Sequence, residues 1–253
     1  MTTLAYHLVD DKFYAGVTRV TPRAFARQMK YLANHGFTSC LPGEEIDTSS
    51  TLKRVCITFD DGYECVYSNA FPVLQRYGFR ACVFVIAGYV GKSNAWDVRF
   101  SGPVQHLSWQ QLSTLATAGW EIGSHSFSHV PLTLVSPARL RTELRDSKAL
   151  LEDRIGRPVH FFSYPFGVFS ARVVAAVQEA GYEAAYGMYV SRELKRPRLW
   201  PFNRERRAIY LFDSLRCFAR KAEGRSEALP FFAERLVSFA SRGSILVMSS
   251  KIT

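Results

Sequence analysis

The chain has 253 residues, 47% hydrophobic and 21% charged, a globular composition that excludes a disordered or fibrous protein. Its 32 Lys and Arg against 22 Asp and Glu give a formal net charge of +10, which favours anionic partners such as an acidic ligand or a lipid headgroup; no recognisable motif among those charges points to nucleic acid. The longest apolar stretch, Ala81 to Ala87, is too short to span a bilayer.

Strand and helix signals alternate along the chain. Thr3 to Leu8 reads as a short strand. Thr21 and Pro22 are an N-cap and a first helical residue, so a helix runs to Asn34 and stops at Gly36. Arg54 to Phe59 (RVCITF) is β-branched and apolar, the pattern of a buried strand. A helix over about Glu64 to Tyr77 ends at Gly78, and Phe79 to Ile86 is a second buried strand. Gly88 to His106 is irregular, with Trp96 and Phe100 as candidate substrate-wall residues. Ser108 caps a helix from Trp109 to Ala118, Trp120 to Gly123 is a short strand, and Ser136-Pro137 opens an amphipathic helix ending at Ile155 before Gly156. His160 to Ser163 is a strand, Ser170 to Ala180 a helix, and Tyr182 to Tyr186 a strand. Weaker signals follow: a strand near Ala208 to Leu211, a helix from Asp213, a helix near Pro230 to Phe239 and a strand from Ser244 to Met248.

This alternation predicts parallel strands with helices packed outside. About seven such units suit a closed or nearly closed barrel; an open doubly wound sheet is the alternative. No linker or repeat interrupts residues 1–253, which reads as one domain. The five cysteines form no CxxC pair, and the odd number suits a reducing compartment. MTTLAYHLVDDKFYAG lacks the basic and apolar regions of a signal peptide. The expected location is therefore cytoplasmic, with contact to a membrane surface left open.

Three constellations sit where strands end, the place at which parallel α/β folds bind ligands. In Thr58-Phe59-Asp60-Asp61-Gly62-Tyr63, two adjacent carboxylates repel unless a cation or proton separates them; an Asp cap followed by a turn Gly is the plain alternative. In Ser124-His125-Ser126-Phe127-Ser128-His129, the two histidines at i and i+4 would share a helical face and reach one metal. With the Asp pair they supply two imidazoles and a carboxylate, leaving positions open for water and substrate. In Phe162-Ser163-Tyr164-Pro165-Phe166-Gly167, a Pro–aromatic–Gly turn exposes N–H groups suited to an oxyanion, unless it is a simple turn.

TFDDG, HSFSH and FSYPFG, in that order and at strand ends, resemble the three motifs of the polysaccharide-deacetylase (NodB-homology) family. LSWQQLSTLATAGWEIGSHS resembles the helix and strand that lead to its metal histidines. The likeness covers Leu4 to Gly187. It implies a deformed (β/α)7-type barrel and hydrolysis of an N-acetyl group from an amino sugar. Asp60 would be the base, Asp61, His125 and His129 the metal ligands, and the Phe166 backbone the oxyanion donor. The metal would be zinc, with cobalt or nickel as alternatives. Tyr63, Tyr164, Pro165, Gly167, Trp96, Arg206 and Arg207 would line the substrate.

Two positions depart from the family pattern. Ser163 stands where many members carry an Arg that orients the base; Arg206 or Arg207 is a candidate replacement. The late strand Ile245 to Ser249 has no His for the general acid. His7, ending the first strand, resembles the opening of a circularly permuted subgroup, and would neighbour the last strand in a closed barrel. Other readings are hydrolysis of a small non-sugar amide and an inactive glycan-binding module. The basic C-terminal third suits an anionic lipid carrier.

Overall fold

A computed structural model of the chain describes residues 1–12, 17–44, 52–94, 103–188 and 201–225, and structural statements below are of those residues. The predicted helix near Pro230, the strand from Ser244, and Trp96 and Phe100 lie outside them.

The strands are β1 (Thr2–Tyr6), β2 (Leu8–Val9), β3 (Arg19–Val20), β4 (Phe37–Cys40), β5 (Lys53–Phe59), β6 (Cys82–Val85), β7 (Glu121–Ser124), β8 (Phe161–Ser163), β9 (Ala184–Gly187), β10 (Arg204–Glu205) and β11 (Arg207–Ala208). The helices are α1 (Pro22–Asn34), α2 (Phe71–Arg76), α3 (Trp109–Thr117), α4 (Pro137–Ile155), α5 (Ala171–Glu179) and α6 (Leu215–Ala222). One sheet runs β10-β9-β8-β7-β6-β5-β1-β11, with every pairing parallel and β4 added beside β5. Its two ends are halves of one segment. Arg204–Glu205 pairs with β9, Arg207–Ala208 pairs with β1, and Arg206 lies between. The sheet therefore closes on itself, and with Arg204–Ala208 taken as one stave the barrel is β1, β5, β6, β7, β8, β9 and that broken strand. It is the deformed (β/α)7 architecture, not the open sheet.

Local chemistry sets the helix ends. The Thr21 hydroxyl accepts the Ala24 N–H at 3.2 Å, and Pro22 loses no hydrogen bond at the first position. Ser108 and Gln111 form a reciprocal capping box on α3. Ser136 caps α4, and Gly156 ends it at φ +71°, a conformation that suits a residue without Cβ. α1 buries Phe25, Gln28, Met29 and Leu32, the spacing of one helical face. The last five residues of β5 are all buried, as a strand covered on both sides requires.

Several boundaries differ from expectation. The first strand breaks at His7, because Leu8–Val9 leaves β1 to pair with β3. The helix expected from Glu64 starts as a π-helical turn, Val66–Ala70, before α2. β4, which carries Thr38 and Ser39 between Phe37 and Cys40, has too little alternation to read as a strand. No helix is long and apolar enough to cross a membrane.

Candidate active site

The three motif turns follow β5, β7 and β8, which are joined through β6 at one end of the barrel. Four non-glycine residues have positive φ: Asp61 at 69°, Ser126 at 68°, His129 at 58° and Phe166 at 60°. All lie in those turns. Such backbone costs on the order of 1–3 kcal/mol per residue and persists where surrounding structure holds it, commonly at functional sites.

Asp61, His125 and His129 converge. His125 Nε2 lies 3.4 Å and His129 Nε2 3.3 Å from Asp61 Oδ1, all three side chains being buried. The histidines do not share a helical face: residues 125–129 form a loop, in which left-handed Ser126 and His129 turn the two rings toward each other. His125 Nδ1–H donates to the Ser163 carbonyl at 2.7 Å, which leaves Nε2 as the lone-pair nitrogen facing Asp61. Asp61 Oδ1 has no hydrogen-bond donor, an expensive condition for a buried carboxylate. A tetrahedral ion with bonds of about 2.0–2.1 Å sets its ligands ~3.3 Å apart. The residues therefore fit a zinc-type cation by separation, donor type and the orphaned oxygen.

Burial by itself would raise the Asp61 carboxyl; the neighbouring His125 and His129 imidazoles outweigh it and hold the group well below its usual range. Burial lowers His129 to about 3, so its ring is neutral, the form in which an imidazole ligates a metal. Burial would lower His125 too, but the Asp60 and Asp61 charges lift it above its usual value.

Asp60 stands beside this triad and is locked by Arg206. Nη1 donates to Oδ1 and Nη2 to Oδ2, both at 2.7 Å. The same guanidinium donates to Ser163 Oγ at 2.7 Å and Thr58 Oγ1 at 3.2 Å, and its planar face covers the Phe84 ring at 5.2 Å. Burial would push Asp60 up; Arg206 foremost, with His125, brings it down. Ser163, at the position of the missing motif Arg, donates to Asp60 Oδ2 at 3.3 Å. The orienting guanidinium thus comes from the broken strand that closes the barrel. His7 lies near Asp60, Asp61 and His129, and its buried Nδ1 has no hydrogen-bond partner.

The remaining expected substrate contacts fall differently. Arg206 is wholly buried and occupied by Asp60, so it is not a substrate residue. Arg207 points away, donating to the Gly224 and Arg225 carbonyls. Tyr164 is core: its hydroxyl donates to the Phe202 carbonyl at 2.8 Å and its ring stacks on Phe169 at 4.4 Å. Pro165 and Gly167 are buried, and a Cβ on Gly167 would meet Met188 at 2.7 Å. Tyr63 is buried with its ring 5.0 Å from His106. Phe166 packs on His129, centroids 4.6 Å apart, and so borders the ion site. Thr58 and His106, whose Nδ1–H donates to the Asp61 carbonyl at 2.9 Å, were not singled out in the sequence, and Ser163 was noted only for the Arg it lacks.

A closed parallel barrel with an acid pair and two histidines at its strand ends is the NodB-homology architecture. The chain belongs to the polysaccharide deacetylase family, whose profile matches residues 47–185. It is 30% identical over 185 residues to YxkH of Bacillus subtilis, a polysaccharide deacetylase by name, covering 71% of this chain and 61% of that protein. It is 24% identical over 182 residues to the poly-β-1,6-N-acetyl-D-glucosamine N-deacetylase of Staphylococcus aureus, covering 67% and 61%. The crystal structure of a polysaccharide deacetylase from Bacillus cereus superposes with a TM-score of 0.73 at 26% identity, over 87% of this chain and 68% of that one. The matches to the two curated relatives span about 61% of their length.

Proposed function

We propose that the chain hydrolyses the N-acetyl group of an amino sugar within a glycan or glycoconjugate, releasing acetate. The observation that carries this reading is Asp60: a buried carboxylate held ionised by Arg206, next to a triad suited to a divalent cation. The family, and a relative that acts on poly-β-1,6-N-acetyl-D-glucosamine, support it.

Asp61, His125 and His129 would hold the cation, for which we assign zinc. When bound it would polarise the acetamide carbonyl and lower the pKa of the attacking water, which suits a base as weak as Asp60. Arg206 takes one lone pair of each Asp60 oxygen and Ser163 the other of Oδ2, leaving Oδ1 with one to accept the water's proton. The Phe166 N–H is the donor assigned to the developing oxyanion. His7 delivers a proton to the departing nitrogen, so that amide and water become acetate and a free amine.

The test is acetate release by zinc-loaded protein from β-1,6- and β-1,4-linked N-acetylglucosamine oligomers. Asp60→Asn should lower the rate by about 10²-fold or more with zinc content unchanged. Acetate release from none of these saccharides by the native protein would refute the proposal.

A further inference from the structure

The segment 125–129 holds both candidate histidine ligands yet is neither strand nor helix, so its backbone groups need partners from elsewhere. The neighbouring strand supplies some. His125 N–H donates to the Val85 carbonyl at 2.8 Å, while the Ser126 and Phe127 carbonyls accept the Ala87 and Gly88 N–H groups at 3.1 and 2.9 Å. Gly88 is required there, since a Cβ would lie 2.6 Å from the Phe127 oxygen. His129 N–H donates to Ser126 Oγ at 3.0 Å. The two consecutive N–H groups between the left-handed residues, those of Phe127 and Ser128, both donate to one atom, Glu143 Oε2, at 3.0 and 2.8 Å. The other oxygen, Oε1, accepts from Ser128 Oγ at 2.5 Å and from Arg139 at 2.7 Å.

Glu143 projects from α4, whose Leu140, Leu144 and Leu151 are locked in the core. A buried carboxylate on a rigid helix thus fixes the middle of the loop whose ends carry His125 and His129. We infer that Glu143 is a positioning residue for the metal site: it sets the spacing of the two imidazoles without touching ion or substrate. The inference rests on the metal reading above.

The test measures Zn2+ affinity by competition with a chromophoric chelator, and the visible spectrum of the Co2+-loaded protein, for native chain, Glu143→Leu, Glu143→Asp and Glu143→Gln. Glu143→Leu leaves both N–H groups unpaired, and Glu143→Asp draws the carboxylate back by one methylene. Each should weaken Zn2+ binding by roughly 10- to 100-fold, the scale for outer partners of metal ligands, and shift the Co2+ spectrum. Glu143→Gln keeps an amide oxygen able to accept both N–H groups, and should stay within about threefold of native by the same measure. Glu143→Asp decides the matter if Glu143→Leu does not fold. Native-like affinity and spectrum in Glu143→Asp overturn the inference, whatever happens to melting temperature. A loss in Glu143→Gln equal to that in Glu143→Asp places the effect in the charge and also overturns it. A native chain that binds neither ion brings down the metal reading itself, which is distinguishable from native binding with indifferent variants.

Discussion

Arg206→Met removes the guanidinium while keeping an unbranched side chain to pack against Phe84 and Tyr186. Five hydrogen bonds disappear: two to Asp60, one each to Ser163 and Thr58, and a weak one to the Met188 sulfur. Both members of the ion pair are almost wholly buried, so solvent cannot replace the lost partner. Breaking such a pair costs about 3–5 kcal/mol. For a chain of this size that corresponds to roughly 6–20 °C of melting temperature. Asp60 can relieve part of the cost by taking up a proton, since the main group opposing burial is then gone. The acid limb of the pH–rate profile should consequently move upward. In the native chain the folded Asp60 sits below its unfolded value of about 3.9, so its stabilising contribution is complete above that pH and is lost as pH falls through the folded value. The stability gap between native and variant should therefore be widest at neutral pH and narrow as pH falls through the raised Asp60 value of the variant toward the lowered native one. Adding Asp60→Asn to Arg206→Met should restore much of the lost stability, because the stranded charge is gone. Thermal melts at pH 7 and pH 4, with acetate release across pH, measure all of this. A melting temperature within about 2 °C of native and an unmoved acid limb would refute the lock between Arg206 and Asp60.

His7→Ala should lower turnover by about 10²–10⁴-fold while zinc content stays at the native level, as metal analysis beside the kinetics would register; unchanged turnover removes His7 from the mechanism. Tyr164→Phe strands the buried Phe202 carbonyl and should cost about 1–3 kcal/mol in a denaturant melt with KM unchanged. A raised KM with unaltered stability would return Tyr164 to the substrate.

Much of this was legible in the chain because the signals are local. Ser136-Pro137 and Gly156 mark the limits of α4, Ser108 announces the start of α3, and the strand-then-motif order puts Asp60, Asp61, His125 and His129 at strand ends. What could not be read depends on distant partners. β10 and β11 are two residues each, too short for any periodicity, and exist because β9 and β1 flank them. HSFSH has helical spacing, but Glu143 and the Ala87–Gly88 edge hold it as a loop. Tyr164 looked like a substrate contact by residue type, and Arg206 like either a substrate contact or a replacement for the Arg that orients the base. Burial separates them: one fills the core and the other charges the site.

Arg206 reaches Asp60 across 146 residues of chain, on the stave that completes the ring. Closing the ring and pairing this carboxylate are therefore one event: with the last stave undocked, Asp60 would lack its guanidinium. On the proposed function, a chain would acquire its base only when the circuit is finished.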